Sequence, residues 1–239
     1  MTKDAHLSTE EINKFNKLAD DWWEASGPLK PLHDLNPLRL AFIQEQINLA
    51  GKHVLDIGCG GGILTESLAR AGAHAVGVDL AEDVLEVART HASAQHLSIT
   101  YHCSPIEVFT QQHHHAFDAI TCMELLEHVP DPTAIIAACA YALKPGGMLF
   151  LSTLNRNVKS FLLAIIGAEY ILKMIPKGTH EYAKFITPAE LSRMLREQGF
   201  NVEHLRGMSY QPFTKAFKLS ADCDVNYLIS AVGRNIPTL

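Results

Sequence analysis

No run of lysine or arginine occurs in the 239-residue sequence, and its formal charge at pH 7 is −6. Proteins whose main partner is nucleic acid present a basic field, so nucleic acid is not expected as a partner. The five cysteines, Cys59, Cys103, Cys122, Cys139 and Cys223, form no C-x-x-C pair. An odd set without paired spacing predicts free thiols in a reducing compartment rather than a disulfide framework. The first residues are polar and charged, without the apolar core of a secretory signal. The most apolar stretch, 161–175, is broken by Glu169 and Lys173 and falls short of the roughly 20 residues needed to span a bilayer. A cytoplasmic protein is expected. Internal repeats are absent, and the one low-complexity feature is His113-His114-His115. Adjacent residues of a loop or strand do not share one face, so these histidines are expected in a solvated loop rather than around a metal.

What is present is alternation. A helix is predicted over 9–25, ended by Gly27-Pro28, and a second over 36–50 with Asn36 as N-cap and Pro37 at its first position. Then come strand 53–57, helix 61–71, strand 75–78, helix 81–94, strand 98–102 and strand 117–122. A helix over 132–143 capped by Asp131 and a strand over 148–152 follow. Thr187-Pro188-Ala189-Glu190 has the form of a capping box, and two further strands are read at 201–205 and 225–232. Strands alternating with helices predict an α/β fold, a mostly parallel sheet covered on both faces.

The first strand runs into Asp56-Ile57-Gly58-Cys59-Gly60-Gly61-Gly62, and Asp79 closes the second strand 19 residues past Gly60. Glycines there let the backbone approach a ligand, and an acid in that register can accept hydrogen bonds from ribose hydroxyls. A dinucleotide fingerprint wants a third glycine where Ile63 stands. The pattern Asp56, Gly58, Gly60, Gly62 instead resembles the first motif of class I S-adenosylmethionine methyltransferases. Phe117-Asp118-Ala119-Ile120 and Leu143-Lys144-Pro145-Gly146-Gly147 add to that resemblance. It implies a Rossmann-like seven-stranded sheet with its last strand antiparallel. It also places Gly58 at the methionine part of the cofactor, Asp79 at the ribose, Met123 beside the cofactor, and Ile106 with Glu107 at the adenine.

After the fourth strand comes Glu124-Leu125-Leu126-Glu127-His128. Ligands of open α/β sheets sit outside the carboxyl ends of the strands. As one helical turn, this segment would put Glu124, Glu127 and His128 on one face. His128 could then take a proton from a hydroxyl nucleophile, or the three could hold a divalent ion such as Mg²⁺. A capped turn with solvated charges is the third possibility.

Several stretches together resemble one family, the ubiquinone-biosynthesis O-methyltransferases. They are Trp22-Trp23, Lys30-Pro31-Leu32-His33, Asn36-Pro37-Leu38-Arg39, the glycine loop, residues 121–132, residues 152–157, residues 167–172, residues 176–180 and Asp224-Val225-Asn226-Tyr227. The resemblance implies O-methylation of ring hydroxyls of polyprenylated phenols, 2-polyprenyl-6-hydroxyphenol and 3-demethylubiquinol. It implies cofactor contacts at Arg39, Gly58, Asp79 and Met123, to which the motif itself adds Asp56 and Gly60. Eukaryotic relatives hold a divalent ion at the positions of Glu124, Glu127 and His128. The chain divides accordingly into an N-terminal helical extension, 1–50, over the cofactor cleft, and a methyltransferase domain, 51–239, with an apolar insertion at 158–181. Trp22 and Trp23 are expected to pack the extension over the cleft, and His180 is a weaker candidate for substrate contact.

On a helical wheel, 158–175 is apolar except for a sector holding Lys159, Glu169 and Lys173. Such a helix packs as a lid or dimer contact, or lies on a membrane surface where a lipid-tailed substrate enters. Contact at the inner membrane face and membership of a ubiquinone biosynthesis complex are the corresponding partner expectations. The rival functions are a methyltransferase for another small acceptor, a nicotinamide-dependent oxidoreductase, and a non-catalytic cofactor-binding scaffold.

Overall fold

The computed structural model describes residues 9–157, 160, 184–211 and 216–234. The apolar insertion apart from Ser160, and His180 with it, lie outside the described residues.

Helix α1 is Thr9–Asn16 and α2 is Lys30–Gln44. The alternation that follows is β1 His53–Ile57, α3 Ile63–Arg70, β2 His74–Asp79, α4 Glu82–Ala94, β3 Thr100–Cys103 and a short α5 Ile106–Thr110. Then come β4 Phe117–Met123, α6 Pro132–Ala142, β5 Leu143–Leu154, α7 Pro188–Glu197, β6 Phe200–Gln211, β7 Ala216–Ser220 and β8 Asn226–Gly233. The strands form one sheet in the order β3-β2-β1-β4-β5-β8-β6-β7. The first five are parallel, while β8 runs antiparallel to both β5 and β6.

The α/β class, the reversed strand and both caps agree with the sequence. Asp131 accepts from the N–H groups of Thr133 and Ala134, and Thr187 with Glu190 completes the capping box. Three expectations are corrected. The sheet has eight strands rather than seven, because β6 runs on past 205 and turns back into β7 as an edge hairpin. The helix expected from 36 begins at Lys30, with Pro31 supplying the N-terminal proline and Pro37 inside it. Asn36 is no cap; its side-chain amide instead bonds Ser67 Oγ of α3 at 2.8 Å. The helix expected over 9–25 stops at Asn16 and resumes as a 3-10 turn, Ala19–Asp21, which turns the following indoles onto the glycine loop.

Strand alternation separates two apolar layers. Leu149, Leu151, Tyr227, Ile229 and Ala231 pack with α6 and α7 on one face. Phe150 and Leu228 pack with Phe42 and Ile43 of α2 and Leu64 and Leu68 of α3 on the other. Helices thus cover both faces, which leaves the carboxyl ends of the parallel strands as the open edge. No helix among the described residues is long and apolar enough to cross a membrane. All five cysteines are free thiols.

Candidate active site

At that edge β1 breaks into the glycine loop. Gly58, Gly60 and Gly62 all have positive φ, at 66°, 52° and 86°, where a side chain would be strained. The Gly60 N–H donates to Asp79 Oδ2 at 2.9 Å, and the N–H groups of Leu80 and Ala81 donate to Asp79 Oδ1 at 2.7 and 2.9 Å. Asp79 therefore ties the two strand ends together. A carboxylate has about four acceptor positions, so capacity remains for hydroxyl donors. Burial raises its carboxyl above the ordinary range, with the three backbone bonds acting against that.

A pocket opens here, lined by Gly58, Asp79, Ile106, Glu107, Leu125 and Val129 among others. It unites four residues that the sequence placed together: Gly58, Asp79, Ile106 and Glu107. Pro105 precedes the short helix and leaves its first two residues facing this space. Apolar walls with an acid at the ribose register suit a nucleoside.

Asp56 is placed differently. It is buried beneath α3, where Thr65 Oγ1 and Thr121 Oγ1 each donate to it at 2.7 Å. Both oxygens are used, and burial pushes its carboxyl up to about 6. Asp56 braces the loop from below rather than reaching into the pocket. Gly60 faces Trp22: a Cβ there would lie 2.2 Å from the indole Cζ2, and one on Gly61 would lie 2.2 Å from Cδ1. Trp23 Nε1 donates to the Gly61 carbonyl at 3.0 Å, and its ring stacks on His91 at 3.5 Å. The two indoles thus lie directly on the loop. Met123 is buried at the end of β4 in the α2 layer.

Arg39 projects from α2, almost wholly buried, and donates through Nη2 to Glu124 Oε2. Its Nε is buried without a partner. A buried guanidinium with an open donor fits the carboxylate of an amino-acid-bearing cofactor.

Residues 124–128 are not a helical turn sharing one face. Glu124 has φ 53°, and only a short turn follows, closed by the His128 N–H on the Leu125 carbonyl at 2.9 Å. Glu124 meets Arg39 and lies 3.4 Å from Ser152 Oγ. Glu127 turns the other way and accepts from Thr153 Oγ1 at 2.8 Å. Ser152 and Thr153 are consecutive in β5 and so face opposite sides of the sheet, which puts the two carboxylates on opposite sides too. Burial, helped by the Glu124 charge, pushes the Glu127 carboxyl up to about 8, making it a neutral acid at pH 7. His128 is half-buried, its ring edge-on to Phe15 at 5.6 Å. Among the described residues no three His, Cys, Asp or Glu side chains are grouped to hold a metal ion. The arrangement does not fit Mg²⁺ at Glu124, Glu127 and His128.

Sequence reasoning missed Thr65 and Thr121, Ser152 and Thr153, and Leu125, whose side chain covers Gly58. Strand alternation could have paired Asp56 with Thr121, its register partner. Nothing local signals the others.

Residues 32–205 match the family described as a methyltransferase domain. The ubiquinone biosynthesis O-methyltransferase of Thiobacillus denitrificans is 54% identical over 226 residues, 95% of this chain and 97% of the relative. That of Hahella chejuensis is 54% identical over 232 residues, 97% and 98% respectively. A crystal structure of magnesium protoporphyrin IX methyltransferase from Synechocystis, with bound S-adenosylhomocysteine, superposes with a TM-score of 0.70 at 22% identity, covering 94% of this chain and 99% of that one. That likeness shows the fold alone. With the glycine loop, the Asp79 register and near-complete coverage in agreement, the chain belongs to the ubiquinone biosynthesis O-methyltransferase family, within the methyltransferase-domain fold.

Proposed function

We propose that this chain transfers a methyl group from S-adenosylmethionine to ring hydroxyls of polyprenylated phenols in ubiquinone biosynthesis, 2-polyprenyl-6-hydroxyphenol and 3-demethylubiquinol. The 54% identity across nearly the whole length of relatives bearing that name carries the proposal, and the pocket chemistry supports it. When bound, the cofactor supplies an electrophilic methyl carbon on a sulfonium. The chain's own residues hold and orient. Arg39 takes the cofactor carboxylate through its open Nε, Asp79 accepts from the ribose hydroxyls, and Ile106 and Glu107 line the adenine end. Gly58 and Gly60 let the backbone come close, and the side chain of Met123 packs near the cofactor. His128, in the turn above β4, takes the proton of the acceptor hydroxyl as the oxygen attacks. Glu124 orients Arg39. Positioning of this kind supplies a large share of the acceleration in a two-reactant transfer.

The first 50 residues serve as the cover of the cofactor cleft, in keeping with Trp22 on Gly60 and Gly61. Residues 158–175 serve as a membrane-surface entry for the lipid tail, a reading that rests on their apolar sequence. It places the enzyme at the inner membrane face, beside the other enzymes of the pathway.

The test is methyl transfer from labelled S-adenosylmethionine to a short-tailed prenyl catechol. Transfer that falls about 10²–10⁴-fold in His128→Ala, with loss of the acidic limb of the pH–rate profile, supports the assignment. No transfer by the wild type removes it for that acceptor. Liposome flotation of wild type against Phe161→Glu/Ile165→Glu tests the entry segment, and equal flotation removes it.

A further inference from the structure

Asn226 opens β8 and is buried, with 8% of its surface exposed. Its side-chain carbonyl Oδ1 has no hydrogen-bonding partner. Its neighbours along the chain are hydrogen-bonded. The Asn155 N–H donates to the Val225 carbonyl at 2.8 Å, Asn155 Nδ2 to the Cys223 carbonyl at 2.9 Å, and Asn157 Nδ2 to the Asp224 carbonyl at 2.6 Å. On the other side, Tyr227 is fully buried and its hydroxyl donates to the Ile186 carbonyl at 2.9 Å. A strand end pinned at each neighbouring residue holds Asn226 in place and leaves one buried acceptor without a partner. Asparagine is a poor strand former, and a buried unpaired carbonyl is costly, so packing does not explain the residue.

Its place follows from register. Leu154 pairs with Asn226 and Ser152 with Leu228. Residues two apart on a strand share a face, so Asn226 lies on the face of Ser152, whose hydroxyl touches Glu124. It stands two residues further out, roughly 7 Å along the strand, level with the carboxyl end of β5. Glu127, Thr153 and Tyr227 belong to the opposite face. The nucleoside pocket lies over β1 and β2, so Asn226 sits on the other side of the Arg39–Glu124 pair from it. In the proposed function the methyl acceptor lies beyond that pair.

We infer that Asn226 is a specificity-determining residue, accepting through Oδ1 a hydrogen bond donated by the ring hydroxyl next to the one methylated. This rests on the proposed function, in which the acceptor ring carries an ortho pair of hydroxyls. A site built to bond a hydroxyl rejects the analogue lacking it, because its polar group is then left unpaired. Asn226 thereby selects ortho-diols over simple phenols.

The experiment compares a prenyl catechol with the matching prenyl phenol that lacks the second hydroxyl, in wild type, Asn226→Ala and Asn226→Asp. The expected result is a preference of wild type for the catechol in kcat/KM that collapses by about tenfold or more in Asn226→Ala, with phenol turnover unchanged. S-adenosylhomocysteine affinity stays at the wild-type value. Asn226→Asp keeps the acceptor oxygen at the same length and retains the preference, which guards against a folding defect in the alanine variant. Equal losses on both acceptors, or an unchanged preference, overturn the inference. If wild type methylates neither acceptor, the proposed function fails and this inference with it. If wild type methylates both equally well, only this inference fails.

Discussion

The guanidinium of Arg39 in α2 is bonded to the carboxylate of Glu124, which follows β4 85 residues later in the chain. The pair joins the helix over the sheet to the turn above it. The Arg39 side chain is 6% exposed and that of Glu124 20%, so the arginine depends on its partner more than the glutamate does. Breaking a buried pair from one side costs about 3–5 kcal/mol; the exposure of Glu124 puts this pair at or below the lower end. Arg39→Ala and Glu124→Gln are expected to be non-additive, with a coupling of about 1 kcal/mol or more in urea unfolding. Arg39→Ala is also expected to weaken S-adenosylhomocysteine binding at least tenfold by calorimetry. Additive effects would mean that the pair is a surface accident.

Asp79 carries three backbone N–H groups and the ribose register at once. Asp79→Ala should weaken cofactor binding by about 1.5–3 kcal/mol, the value of a charge-assisted bond. Asp79→Asn, which keeps one acceptor oxygen, should fall between that variant and wild type. Calorimetric titration with S-adenosylhomocysteine gives the order, and unchanged affinity in both would move the ribose elsewhere.

Glu127 makes stability depend on pH. Its carboxyl is raised from the ordinary 4.5 to about 8 by burial and by Glu124. In that interval the folded state holds a proton that the unfolded chain has released, so stability falls as pH rises. The contribution is complete below about 4.5 and lost through about 8. Glu127→Gln mimics the neutral acid, so its melting temperature should decline less between pH 6 and 8.5 and exceed that of wild type at the upper end. Parallel melting curves for the two proteins would place the proton elsewhere.

Gly60 has no room for a side chain. Gly60→Ala combines a positive φ with a Cβ 2.2 Å from Trp22. Displacing the indole should lower the melting temperature by several degrees and abolish detectable cofactor binding. With only two tryptophans in the chain, a red shift of intrinsic fluorescence reports the displacement directly. An unshifted spectrum would show that the ring is not seated on the loop.

The parts of this structure legible in the sequence are those that local chemistry dictates. Asp131 and Thr187 cap because short polar side chains before proline leave little alternative. Asp79 falls at a strand end because the apolar run stops there. Pro37 misled because a proline reads as a helix start, whereas inside a helix it forfeits one bond that the packing of Phe42 and Ile43 outweighs. The Glu124–His128 segment misled because its spacing is helical but Glu124 adopts a left-handed backbone. Which face each carboxylate takes is decided by Ser152 and Thr153, 28 and 26 residues away, and no periodicity encodes that. The seat of Trp22 on two particular glycines was not legible either.

The order of the sheet also governs how the molecule can be made. β8 lies between β5 and β6, yet it is synthesised after both. While a nascent chain leaves the ribosome, the strands that carry the glycine loop and Asp79 can already pair with one another. Through that interval β5 and β6 present open edges, which invite pairing with other chains. The strands of the glycine loop and Asp79 can therefore pair before β8 exists. Asn226, the residue at the joint, reaches its place only when the sheet closes.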